Sequence, residues 1–190
     1  MKKFISIMLI LAGMIILPTS GNADTQALNL KDTIEAEKFT FADDTYKETD
    51  DQVMIYLFRG DGCSHCYDFL EYLNSIVAEY GYMFKMRSYE IWDNPDNAAL
   101  QTKVRNFFGE TKSGVPYIII GKSTFRGFGE STGEKILTAI KSEYESEDRY
   151  DVFEEMEKGN SNKNNNALYI VVPLACAAIA FIIGYAVKKD

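Results

Sequence analysis

The chain has 190 residues, 46% of them hydrophobic and 25% charged, with 20 Lys and Arg set against 28 Asp and Glu. A net charge of −8 argues against a nucleic-acid partner, which wants a basic stripe, and favours solubility. Both ends are apolar, so the stretch between them has room for one domain of ordinary size.

Met1, Lys2 and Lys3 precede an almost unbroken apolar run from Phe4 to Leu17, then Pro18 and a small polar stretch ending at Ala23. This pattern predicts a secretory signal over 1–23, cut after Ala23; an uncleaved anchor is the alternative. Residues 24–38 read as a polar segment, and Phe39, Phe41 and Tyr46 as the inward contacts of a short strand and a turn. Val53 to Phe58 is uninterrupted, β-branched and aromatic, as suits a strand buried on both faces. Arg59, Gly60, Asp61 and Gly62 follow as a turn.

From Cys63 the apolar positions Cys66, Phe69, Leu70, Leu73, Ile76, Val77 and Tyr80 recur at helical spacing, and Gly81 closes the run as a C-terminal glycine would. Tyr82 to Tyr89 reads as a strand, Pro95 to Phe108 as a helix and Gly109 to Gly114 as a loop. A strand over Tyr117 to Ile120, a tight turn at Gly121 and Lys122, a strand over Thr124 to Phe128 and a last helix from Thr132 to Ser146 complete the order. A parallel pair joined through a helix, followed by a hairpin, predicts an α/β fold with a mixed central sheet and helices on its faces. The domain is expected over 39–146.

Residues 143–158 are rich in Asp and Glu, and Gly159 to Asn166 cannot build a core, so 147–166 reads as an acidic, Asn-rich linker. Ala167 to Val187 carries no charge and is long enough to cross ~30 Å of hydrocarbon as a helix. It is expected to be a transmembrane helix, with Lys188 and Lys189 holding the tail 188–190 in the cytoplasm. The domain then faces outward. Cys176 lies inside this span, where it reads as a packing residue.

Cys63, Ser64, His65 and Cys66 sit between the buried strand and the helix. Two thiols one turn apart can exchange between dithiol and disulfide. Cys63, at the helix start, faces unpaired N–H groups and the positive end of the dipole, which favour its thiolate. Cys66, more buried, reads as the resolving partner. His65 is the single His in the chain; its imidazole between the thiols would favour the thiolate further, unless it is an exposed side chain without effect. Haem attachment needs His directly after the second Cys, but position 67 is Tyr. Zinc needs a second ligand pair, and the outer domain has no further Cys or His. A purely structural disulfide closing so short a loop would constrain the unfolded chain little.

A strand, CxxC at a helix start, and Val-Pro before a hairpin and final helix resemble the thioredoxin superfamily across 39–146. CSHC is similar to the DsbA-like and disulfide-isomerase-like branches, and the two apolar ends fit a bacterial extracytoplasmic member. The resemblance implies a cis peptide bond before Pro116, which lies against the disulfide, and a Val115 backbone that pairs with substrate. The chain departs from thioredoxins at Gly62, where they carry Trp, and at Leu57, where they carry a buried acid. No helical insertion of the DsbA type fits between Cys66 and Val115.

The expected function is thiol-disulfide exchange with exported proteins, with Cys63, Cys66 and His65 as catalytic residues and Val115 and Pro116 binding substrate. No cofactor beyond the Cys63–Cys66 disulfide and no metal are expected. Oxidation is the favoured direction, since disulfides persist in the outer compartment. A reductase or isomerase fed by a membrane electron partner is the alternative, as are a peptide-binding module and an accessory subunit of a secretion system.

Overall fold

In the computed structural model, which describes residues 27–159, the architecture follows from two-sided burial of one strand. That strand, β1 (Val53–Arg59), sends Val53, Ile55 and Leu57 to one core and Tyr56 and Phe58 to another. Alternation with a period of two makes both faces of the strand apolar, so it must lie inside a sheet covered on both sides.

The elements run α1 (Leu30–Ala36), β1, α2 (Ser64–Tyr80), β2 (Phe84–Glu90), α3 (Pro95–Phe107), β3 (Tyr117–Ile120), β4 (Ser123–Arg126) and α4 (Glu130–Tyr144). The sheet order is β2-β1-β3-β4. β1 pairs in parallel with β2 and antiparallel with β3, and β3 pairs antiparallel with β4. This is the mixed sheet expected from a helix-linked pair followed by a hairpin. Gly121, at φ +54, takes the left-handed position that a two-residue hairpin turn asks of its first central residue. One core holds residues of α1, α2 and α4, including Ile34, Phe69 and Ile136. The other holds Val104 of α3 together with Val152.

Three sequence expectations are corrected. Ahead of β1 there is a short helix rather than a strand and a turn. Asn29 caps α1, its Oδ1 accepting from Asp32 N–H at 2.8 Å, and Leu30, Thr33 and Ile34 are buried. The helix has only two large apolar residues, Leu30 and Ile34, four apart, too few for a periodic pattern to stand out. Phe41 is nevertheless buried, and Phe39 and Tyr46 pack against the same core as partly buried residues. Leu28 exchanges both backbone hydrogen bonds with Ser88, at 3.0 and 2.8 Å, and so closes part of the outer edge of β2.

Gly81 does not take the left-handed conformation of a capping glycine; its φ is −57 and the chain continues into a tight turn over Gly81–Met83. It must be small instead, because a Cβ there would meet Val77 Cγ2 at 2.9 Å and Tyr46 Cδ2 at 3.1 Å.

The acidic stretch beyond α4 also packs, where a free linker was expected. Residues 152–159 are helical, Val152 is buried, and Phe153 meets Tyr56 edge-on at 4.5 Å. Tyr56 donates its hydroxyl to Asp151 Oδ2 at 2.7 Å. Acidic residues fill the outward positions while Val152, Phe153 and Met156 face the sheet, so composition concealed an amphipathic helix. Packing thus extends on both sides of 39–146. The expected signal at 1–23 and span at 167–187 lie outside the described residues, among which no helix is long and apolar enough to cross a membrane.

If α1 belongs to the fold, Ile34→Ala should cost about 2–5 kcal/mol of stability, measured by chemical denaturation. A loss below about 0.5 kcal/mol, typical of a surface position, would contradict its place in the core.

Candidate redox site

β1 delivers the chain into a tight turn. Cys63 N–H donates to Gly60 O at 3.3 Å, and Gly62 takes φ +70, the conformation that the third residue of a type II turn needs. Cys63 is then the N-cap of α2. Its Sγ accepts from Cys66 N–H at 3.2 Å, and its carbonyl accepts from the N–H groups of Cys66 and Tyr67, both at 3.0 Å. The first turn of a helix therefore aims a backbone donor at sulfur.

Cys63 and Cys66 form a disulfide with their Cα atoms 5.2 Å apart. Cys63 is partly exposed, whereas Cys66 is 2% exposed. An open cleft of about 520 Å³ lies beside Cys63, bounded by Lys38, Asp61, Ser64, Tyr67 and Asp68 among others.

His65 is exposed on the first turn of α2, with its Nδ1 3.5 Å from Asp68 Oδ2. The Val115–Pro116 peptide bond is cis, as the resemblance implies. Pro116 is buried and Val115 partly so. One residue beyond the last β1–β3 pair, Phe58 with Tyr117, Pro116 lies at the end of the sheet that carries Arg59 and the turn. Pro116 O accepts from Gly127 N–H at 2.8 Å. Leu57 is fully buried in the apolar core.

Several supporting residues carry no sequence signature. Arg59 belongs to β1 rather than to the turn. It is buried, its Nη1 lies 2.7 Å from Glu37 Oε1, and its Nε donates to Ser88 Oγ at 3.2 Å. A buried cation is held only where such partners satisfy it, and this pair fastens the end of α1 to the end of β1.

Glu90 fastens the turn from the other direction. Its Oε1 accepts from Trp92 N–H at 2.7 Å and from Asp61 N–H at 3.3 Å, while Oε2 accepts from Asp93 N–H at 3.0 Å. Desolvation pushes the Glu90 carboxyl up. The N–H groups of Trp92, Asp93 and Asp61, helped by the Arg59 charge, outweigh it and leave the group below its ordinary value. Trp92 lies directly over Gly60, where any Cβ would fall within the indole. Its one sequence signal is that it is the single Trp of the chain, placed between a strand and the proline that starts a helix. On the α2 flank, Tyr67 packs on Phe39 with ring centroids 4.1 Å apart and planes tilted by 38°.

Comparison with family models, with curated proteins and with solved structures gives no match. The site is thus read from its own geometry: a mixed α/β sheet with a cysteine pair at disulfide distance on a helix start, compatible with a thioredoxin-like CxxC fold.

Glu90 makes the pH dependence of stability testable. A carboxyl whose folded pKa is depressed stabilises above its unfolded pKa and loses that contribution as pH falls through the folded pKa. Glu90→Gln should therefore be less stable than wild type near pH 7, with the gap closing on descent to about pH 2–3. Denaturation curves at both pH values check this, and a gap independent of pH would contradict it.

Proposed function

We propose that this chain is a membrane-anchored, extracytoplasmic thiol-disulfide oxidoreductase of the thioredoxin superfamily, exchanging disulfides with exported proteins in the oxidising direction. The observation that carries the reading is the asymmetry of the cysteine pair. One sulfur is accessible at a helix N-terminus, and the other is buried one turn further on. A structural staple has no use for that difference, whereas exchange requires one sulfur that substrate can reach.

A substrate thiolate attacks Cys63 Sγ, the Cys63–Cys66 bond breaks, and Cys66 leaves as a thiolate. A second substrate thiolate attacks the substrate sulfur of the mixed disulfide, and Cys63 leaves. The substrate gains a disulfide and loses two electrons and two protons; the protein takes the electrons as two thiols or thiolates. The donor that Cys66 N–H offers to Cys63 Sγ supports Cys63 as the better leaving group, since a stabilised thiolate departs faster. In the reverse direction Cys66 resolves the mixed disulfide. His65, on the same first turn, is proposed to favour the reduced form, and Val115, ahead of buried Pro116, to offer its main chain to substrate. A membrane redox partner is proposed to remove the two electrons and restore the disulfide.

Two measurements test these assignments. Cys66→Ala should accumulate mixed disulfides through Cys63 in cells, while Cys63→Ala should accumulate almost none; equal trapping would overturn the roles. In defined thiol-disulfide buffers, His65→Ala should make the protein more reducing, at about 30 mV for each tenfold change in the exchange constant. An unchanged potential would remove His65 from the mechanism.

A further inference from the structure

Among the described residues, Lys38 is the one non-glycine residue with a positive φ, at +66. It ends α1 in an arrangement that glycine ordinarily closes. Lys38 N–H donates to Glu35 O at 2.9 Å and Phe39 N–H to Ile34 O at 3.1 Å, the paired bonds of a Schellman turn with Lys38 in the left-handed position. A side chain is disfavoured there, and such an outlier points to a use for the residue that carries it. Both of its neighbours are fastened. Glu37 Oε1 lies 2.7 Å from Arg59 Nη1 at the end of β1, and Phe39 packs on Tyr67 of α2. β1 and α2 are the two elements that the cysteine turn connects. Lys38 is thus held between them, where it lines the cleft beside Cys63.

We infer that Lys38 is a positioning residue for the exchange reaction, whose ammonium holds the Cys63 sulfur towards its thiolate form. This role rests on the redox reading above and adds a full charge to the donor that Cys66 N–H supplies. The groups around the cleft make the sign of that charge matter. Asp61, two residues before Cys63, and Asp68 on α2 both line the cleft, as does Glu37, whose carboxylate is taken up by Arg59. Exposed His65 lies 3.5 Å from Asp68, and Glu90 accepts from Asp61 N–H at 3.3 Å behind the turn. Carboxylates this close oppose a negative sulfur. Lys38 is the only cation among the described residues that line the cleft. Glycine in its place would ease the backbone and leave an acidic rim facing the thiolate. Across such a cleft, charges about 7 Å apart in an effective dielectric of about 40–80 move a thiol pKa by about 0.4–0.9 pH units.

The test follows alkylation of Cys63 by neutral iodoacetamide against pH in reduced, full-length Cys66→Ala protein, read by mass spectrometry of the peptide that carries Cys63. Adding Lys38→Met or Lys38→Gly should raise the Cys63 pKa by about 0.5 pH units, and Lys38→Arg should keep it at its starting value. In about 1 M salt, where the Debye length is about 3 Å, the gap should narrow. Equal pKa values with and without the lysine, or a gap indifferent to salt, would overturn the inference. Stability separates this role from packing. Lys38→Gly should unfold at or above the wild-type temperature, since glycine suits the backbone there; a lower midpoint would assign the lysine to packing and overturn its tuning role as well. Failure of the wild-type protein to oxidise dithiothreitol, a neutral dithiol indifferent to the charge at position 38, would instead overturn the redox reading, and the role of Lys38 with it.

Discussion

The hydrogen bond from Cys66 N–H to Cys63 Sγ is the interaction on which the proposed chemistry depends. It exists because Cys63 is the cap of α2 and not a residue within it. A cap position leaves the side chain facing the unpaired donors of the first turn, and here the acceptor is sulfur. Shifted one residue in either direction, the pair would keep its spacing but lose the alignment of one sulfur with the helix end. The same geometry buries Cys66 beneath the turn and leaves Cys63 at the rim of the cleft.

That cap is held by what surrounds it. β1 is buried on both faces, so its end is fixed in space, and the turn from Gly60 to Cys63 starts from a rigid platform. The Arg59–Glu37 pair joins α1 to this platform, and Glu90 gathers Asp61, Trp92 and Asp93 around a single carboxylate. Two loops distant in sequence are thereby locked to the residues that precede Cys63. Breaking a buried ion pair by removing one partner is strongly destabilising, whereas the more exposed Glu90 acts through hydrogen bonds. The two devices place stability beneath the turn and positional control at its surface.

Elements with a dense, periodic apolar pattern are legible in the sequence. The VMIYLF run, the helix that follows Cys63, the Tyr117–Ile120 strand and the hairpin at Gly121 all carry their signal locally. α1 did not, because two buried large apolar residues in about two turns are indistinguishable from a polar segment. The helix over 152–159 was hidden by its acidic outer face, since a charge-rich composition resembles a tether until Val152 and Phe153 are seen against the sheet. Within the site, the cysteines and Pro116 were marked by their spacing and their resemblance to a family. Glu90, Trp92 and the Arg59–Glu37 pair were not, as each acts through contacts tens of residues apart in the chain or through backbone N–H groups that any residue could supply.

On the proposed function, the helix start makes Cys63 the reactive sulfur. The most direct measurement is a pH titration of thiolate ultraviolet absorbance in the reduced protein, repeated on Cys63→Ala and Cys66→Ala. Cys63 should ionise below the ordinary thiol value of about 8.5, and the buried Cys66 above it. Two thiols titrating together near that ordinary value, or a lower pKa at Cys66 than at Cys63, would contradict it.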